Sequence, residues 1–331
     1  MKPFDYYRVS TVNQAVALLA KHQEKAAILA GGSDLLGMMK DGIEGAGLER
    51  PRHLIDVKGI KELSGIQESV AGLRLGAATT LAELVHSDVV EKKYALVAQA
   101  AKQVAVPQIR NVGTVGGNLC QRPRCWYFRG KLFTDCIRKG GGTCYAHAVG
   151  AENQYHAIMG GDICSMVYPS DLAPALMALE AKVEIAGPKG KRVIPLEQFY
   201  VRPEKNPLRE TVLGPQELLV AVHIPAAAAG KKGVYLKLRE RQAFDFAVLS
   251  VAVAVRLQMG KVAESRVVFG GMAPVPLRSV KVEAALKGKT LTEAVGVACA
   301  AAVEGAKPLS GNGYKVAVAQ GVLEQALNLL A

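Results

Sequence analysis

Five of the six cysteines in this 331-residue chain, Cys120, Cys125, Cys136, Cys144 and Cys164, fall in one segment, interleaved with Arg122, Arg124, Arg129, Lys131, Arg138 and Lys139. Thiols in a basic setting are biased toward the thiolate, the form that binds metal. The four cysteines after Cys120 are separated by ten, seven and nineteen residues, so the paired Cys-x-x-Cys knuckles common in structural zinc sites are absent. Zinc stays open without being the preferred reading. Six cysteines are too few for a disulfide scaffold at this length. Their concentration in one place points to a metal or cluster site in a chain assembled in a reducing compartment. His147 and His156 flank the segment without a ligand spacing to another histidine, and are read as hydrogen-bonding residues.

A glycine turn, Thr114-Val-Gly-Gly-Asn118, runs directly into that segment. A second, Gly31-Gly-Ser-Asp34, follows the apolar run Lys25–Ala30 and precedes Leu35–Met39, the pattern of a strand, a turn and a helix start. Glycines let a backbone approach a ligand closely, and free amides at a helix start favour phosphate oxygens. Either turn alone reads equally as a simple connection. No Gly-x-Gly-x-x-Gly follows a strand, so a Rossmann dinucleotide fold has no support. Two diglycine turns offer another way to grip a pyrophosphate, from two sides.

The elements that must position these residues follow from periodicity and caps. Tyr6–Ser10 reads as an edge segment, and Ser10 as the cap of a helix reaching Ala20. His53–Val57 and Leu73–Ala77 read as strands, Thr80 caps a helix over 81–86, and 95–103 is helical. Beyond the cysteines, Leu172–Leu179 is an apolar helix that tolerates Pro174 in its first turn, and Val183–Ala186 is a strand ended by a turn over 187–192. Small residues at Ala226–Gly230 mark a boundary. Residues 247–257 alternate Val with small residues and fit a strand or a buried helix, while Cys299, in an Ala-rich helix over 291–303, belongs to a core.

With half of its residues hydrophobic, the chain can bury two or three folding units. Its formal charge is +12, but only 5% of residues are aromatic, and few stacking platforms argue against nucleic acid. No apolar run is long enough to cross a bilayer, so no membrane insertion is expected. The start Met1-Lys-Pro-Phe-Asp-Tyr lacks the apolar core of a secretion signal, so the cytoplasm is expected, or the periplasm by co-export with a partner.

Three motifs in one order carry a family resemblance: Ala30-Gly-Gly-Ser-Asp-Leu-Leu36, Gln108-Ile-Arg-Asn-Val-Gly-Thr-Val-Gly-Gly-Asn118 and Pro169-Ser-Asp-Leu-Ala-Pro-Ala-Leu176. Together they resemble the FAD-binding subunit of the xanthine dehydrogenase and aldehyde oxidoreductase family of molybdenum hydroxylases. Lys237–Ala247 and Gly270–Pro276 resemble that family's last domain, so the likeness covers nearly the whole chain. Pro107 stands where the family often has Ser.

The resemblance implies an α+β chain. A p-cresol methylhydroxylase-type FAD domain of two α/β subdomains spans 1–226, and a CO-dehydrogenase-flavoprotein-like domain spans 227–331. Carried over, Leu29, Ala30, Gly31, Gly32, Ser33, Asp34, Leu35 and Leu36, with Thr114, Val115, Gly116, Gly117 and Asn118, wrap the FAD pyrophosphate. Asp171 contacts the adenosine side, Leu218 and Leu219 pack near the flavin, and Lys237 faces its ring. The passage from Asn118 to Pro169 is about fifty residues, too long to be structureless without reason. It is similar to a loop of the aldehyde oxidoreductase branch that carries a [4Fe-4S] cluster, which implies Cys125, Cys136, Cys144 and Cys164 as ligands. A set with Cys120 replacing Cys164 stays open. Interspersed cations would favour the reduced cluster and raise its potential, whereas the competing reading is a solvated charged loop. The implied partners are a molybdenum-cofactor large subunit and a [2Fe-2S] small subunit. Catalytic side chains are not expected on an electron carrier. A stand-alone flavin oxidase with a structural zinc loop, or a non-catalytic scaffold, are the other classes.

Overall fold

A computed structural model describes residues 1–331. Strands β1 (Asp5–Arg8), β2 (Ala26–Leu29) and β3 (His53–Asp56) form a parallel sheet in the order β1-β3-β2, which puts β1 at an edge as expected. Parallel neighbours need crossovers, supplied by helices α1 (Val12–His22) and α2 (Leu35–Asp41). The cap of α1 is Thr11 rather than Ser10. Thr11 Oγ1 accepts from Gln14 N–H at 3.2 Å while Gln14 Oε1 accepts from Thr11 N–H at 3.3 Å, a reciprocal box that only Thr11 is placed to close. The first diglycine turn joins β2 to α2.

The second sheet contains β4 (Ile66–Ser69), β5 (Gly72–Gly76), β6 (Lys182–Gly187), β7 (Gly190–Pro195) and β8 (Leu218–Pro225), antiparallel in the order β4-β5-β8-β6-β7. The turn expected over 187–192 is shorter than that, because β7 begins at Gly190. Between β5 and β6 the chain makes a long excursion through helices α3 (Leu81–Val85), α4 (Asp88–Lys93), α5 (Ala95–Lys102), α6 (Pro107–Arg110), α7 (Val115–Cys120), α8 (Trp126–Arg129) and α9 (Leu172–Ala178). The second diglycine turn and the cysteine segment both lie on it. Pro107 starts α6, where a missing N–H costs nothing.

The third sheet is antiparallel, β12-β11-β10-β9, from β9 (Lys232–Leu238), β10 (Leu249–Gln258), β11 (Lys261–Gly270) and β12 (Leu277–Arg278). In β10, Val251, Val253 and Val255 enter a core with helices α10 (Val280–Leu286), α11 (Leu291–Ala302) and α12 (Tyr314–Leu330). Ala252 and Ala254 face the opposite core, with Leu96 of α5 and Leu176 of α9. A strand buried on both faces carries no polar alternation, which is why the sequence left strand and helix undecided there. Cys299 is core, its thiol donating to the Gln320 carbonyl at 3.4 Å. No helix is long and apolar enough to cross a membrane.

The cysteine segment is mostly irregular, yet it is not a solvated charged loop, since Arg138 and Lys139 are 1% and 0% exposed. Its far end is tied to the third layer. Asn312 Nδ2 donates to the His156 and Ala157 carbonyls at 3.0 and 3.2 Å, and Asn153 Nδ2 donates to Ser310 Oγ at 3.1 Å.

Candidate functional site

The two diglycine turns meet. A Cβ on Gly31 would lie 1.8 Å from the Val112 carbonyl oxygen, and Gly32 holds φ +73, so neither position accepts a side chain cheaply. From this junction a cavity of about 930 Å³ extends to the ends of β8 and β9. Ala30 to Leu35, Thr114, Gly116 to Asn118, Asp171, Leu218, Leu219 and Lys237 line it. Leu29, Leu36 and Val115 do not. Leu29 and Leu36 pack under the first sheet and Val115 lies in the main core, so these three support the turns from behind.

The turns are not equivalent. The N–H groups of Gly31, Gly32, Ser33 and Asp34 find no acceptor within the chain, leaving consecutive donors beside the cavity. In the other turn the Thr114 N–H is free, but the amides that follow it are already used. Val115 N–H donates to the Thr79 carbonyl at 2.9 Å, Gly116 N–H to the Ala77 carbonyl at 2.8 Å, and Gly117 N–H to Thr114 Oγ1 at 3.1 Å. The first turn therefore presents more free backbone donors to the cavity than the second. Successive unpaired amides form a nest for phosphate oxygens, and Arg50, Arg122, Arg124 and Arg209 add positive charge around the same cavity.

Asp34 ties the first turn to the cysteine segment. Its carboxylate accepts from Arg122 N–H at 2.8 Å, from Arg129 Nη2 at 2.6 Å and from Arg124 Nη1. Burial pushes the carboxyl up, but the two guanidiniums and the backbone donor outweigh it and hold the group below its ordinary range. Asp171 and Lys237 form one unit. Asp171 accepts from Lys237 Nζ at 2.7 Å and from Tyr235 Oη at 2.6 Å, with both charged side chains nearly unexposed. The expected roles, Asp171 on the adenosine side and Lys237 toward the flavin ring, thus fall to two side chains that are bonded to each other in the cavity wall.

Downstream, Cys125, Cys136 and Cys144 each stand immediately before a single helical turn, so that following N–H groups point back at the sulfur. Cys125 takes donors from Tyr127 and Phe128, Cys136 from Arg138 and Lys139, Cys144 from Ala146 and Ser165, and Cys164 from Met166. Cys164 and Cys144 face each other closely, and the Cys164 thiol draws Cys144 down to about 6. Cys125 lies near Cys136 and Cys144, though burial pushes its own thiol up to about 12. Cys120 stands apart, beside Glu210, Tyr168 and Tyr200. No three Cys, His, Asp or Glu side chains close around one point as a single metal ion would require.

The surroundings test whether a polyanionic group fits between these thiols. Arg138 donates through Nη2 to Glu210, while its Nε and Nη1 are buried without a partner, near Cys164 and Cys136. Lys139 Nζ is held by the Gly130 and Phe133 carbonyls at 2.7 and 3.1 Å, near Cys136 and Cys125. Two buried cations, one with spare donors, next to four sulfurs ringed by amides, suit a cluster with several negative charges. Glu210 also pairs with Arg122 Nε at 2.9 Å, and the Arg122 backbone N–H donates to Asp34, so a chain of polar contacts runs from Arg138 through Glu210 and Arg122 to the first glycine turn. Neither this network nor the contact of His156 with Cys125 was foreseen; both join residues far apart in sequence.

Residues 2–126 and 144–227 match the FAD binding domain in molybdopterin dehydrogenase, and 234–330 match the CO dehydrogenase flavoprotein C-terminal domain. The interval 127–143, which holds Cys136, falls outside both. The aldehyde oxidoreductase FAD-binding subunit PaoB of Escherichia coli is 39% identical over 289 residues, 86% of each chain. The carbon monoxide dehydrogenase medium chain of Hydrogenophaga pseudoflava is 33% identical, covering 98% of this chain and 96% of its own. A solved structure of carbon monoxide dehydrogenase from that organism superposes with a TM-score of 0.77 at 31% identity, over 99% of this chain and 97% of the other. With two family models covering most of its length and relatives above 30% identity along it, this chain belongs to the family of FAD-binding oxidoreductase subunits of the molybdenum hydroxylases.

Proposed function

We propose that the chain is the FAD- and [4Fe-4S]-carrying electron-transfer subunit of a molybdenum hydroxylase of the aldehyde or xanthine dehydrogenase type. Substrate is oxidised on a molybdenum-cofactor large subunit, and electrons travel through iron-sulfur centres, including those of a [2Fe-2S] small subunit, to FAD and an external acceptor. When bound, the cluster supplies one-electron steps and the flavin exchanges electrons singly or in pairs. The protein supplies position and charge. Gly31 to Asp34 offer amides to the pyrophosphate, with Leu29, Ala30, Leu35 and Leu36 shaping that turn and Thr114 to Asn118 closing the other side. Asp171, on the adenosine side, and Lys237, facing the flavin ring, are joined by their ion pair, while Leu218 and Leu219 form an apolar wall near the flavin. Cys125, Cys136, Cys144 and Cys164 hold the cluster. The working division is an FAD domain over 1–226 and a C-terminal domain over 227–331.

The observation that carries this reading is the proximity of those four thiols, with Cys120 apart, to amide donors and to the unpartnered N–H groups of the buried Arg138. Metal and cofactor analysis of the purified complex tests it. One FAD with four iron and four acid-labile sulfides per chain is expected, and C164S should lose the iron while C120S keeps it. A single zinc per chain would move the reading to a flavin oxidase with a structural metal loop.

A further inference from the structure

His156 lies outside the ligand set, yet its Nε2 sits 3.3 Å from Cys125 Sγ. The residue is 6% exposed and its Nδ1 has no partner. A thiolate bound to iron carries no proton, so at this contact the nitrogen must be the donor. We propose that His156 is a positioning residue for the cluster, one whose Nε2–H donates to the Cys125 sulfur and raises the reduction potential. This inference rests on the cluster reading above. Hydrogen bonds to cluster sulfurs favour the more reduced, more negative state, because the donor's partial positive charge acts where the added electron resides.

The ring is aimed from the other end of the chain. The His156 carbonyl accepts from Asn312 Nδ2 and Lys315 Nζ, each at 3.0 Å, and its N–H donates to the Asn153 carbonyl at 3.0 Å. Lys315 and Asn312 are both fully buried, and Lys315 Nζ also reaches the Tyr155 and Gly271 carbonyls at 3.2 and 2.5 Å. Three carbonyls on one ammonium, with the neighbouring amide of Asn312, fix the backbone from which the imidazole projects. Residues at the start of α12 thereby act on the potential of a centre whose ligands all lie before residue 165, through a single ring.

Potentiometric titration of the whole complex, followed by the EPR signal of the reduced cluster, tests this in the native protein and in H156L, H156Q and N312A, with iron and sulfide measured for each. In H156L the one-electron reduction equilibrium should fall about tenfold, which is about 59 mV lower in midpoint. H156Q keeps an N–H donor and should recover most of the shift. An H156L complex with full iron and an unchanged midpoint overturns the proposal while leaving the cluster reading intact. If H156L loses iron, N312A decides: a midpoint lowered in the same direction supports the proposal, and an unchanged one overturns it. A native complex without a four-iron signal removes the cluster reading and this inference together, before any variant is compared.

Discussion

Substituting Asp34 by Asn perturbs the joint between the first glycine turn and the cysteine segment without changing side-chain volume much. In the native protein the carboxylate gathers Arg122 N–H and two guanidiniums, with side-chain exposures of 19% for Asp34, 27% for Arg124 and 17% for Arg129. The amide keeps one acceptor oxygen and no charge, so two charge-assisted bonds are lost, at about 1.5–3 kcal/mol each. Two half-buried guanidiniums also stay behind without their anion, for which about 3–5 kcal/mol is typical. These are two views of one loss, and about 3 kcal/mol is the expected destabilisation. At about 2 °C per kcal/mol for a chain of this size, D34N should unfold about 6 °C below the native protein at neutral pH. The pH dependence has a defined sign. The folded-state carboxyl is held below its ordinary range, so its contribution is fully present above the unfolded value near 4 and is lost as pH falls through the folded value. The gap between native and D34N should therefore narrow in acid. Thermal unfolding at pH 7 and below pH 4, together with FAD retained after gel filtration, measures both effects. Equal melting temperatures at pH 7 with undiminished FAD would refute the role given to Asp34.

Three further outcomes are open to direct measurement. G31A places a methyl 1.8 Å from the Val112 carbonyl, so the turns must separate, and the purified variant should lose most of its FAD while the C-terminal sheet keeps its protection in hydrogen exchange. R138M removes a buried cation beside Cys164 and Cys136, and should lower the cluster midpoint in potentiometric titration while leaving flavin content unchanged. Lys315 is pushed down by burial to about 7, so the folded protein binds fewer protons than the unfolded chain between that pH and about 10. Stability measured by denaturant should gain from this residue as pH rises through that window, and K315M should flatten the dependence.

The glycine turns were legible because residue type alone encodes the need: nothing but glycine fits beside the Val112 carbonyl or comfortably holds φ +73 at Gly32. Strands such as β3 and capped helices such as α3 were legible from local pattern, since Thr80 and Glu83 carry the capping box within four residues. What stayed hidden depends on distance along the chain. Asp34 meets Arg124 and Arg129 across 90 and 95 positions, and Arg138 meets Glu210 across 72, so no spacing announces that these cations are buried. His156 had no histidine at a ligand spacing and was read as a hydrogen-bonding residue, but its partner Cys125 becomes visible only once the segment has folded back. Asp171 and Lys237 come from different motifs 66 positions apart, and only the folded chain brings them within 2.7 Å.

An anomalous difference map at the iron edge, from crystals of the complex, tests most directly what sits among the cysteines. A strong peak bounded by the sulfurs of Cys125, Cys136, Cys144 and Cys164, with none beside Cys120 and with FAD density in the glycine cradle, is the predicted result. No iron signal at those four sulfurs, or iron bound through Cys120 in place of Cys164, would contradict it.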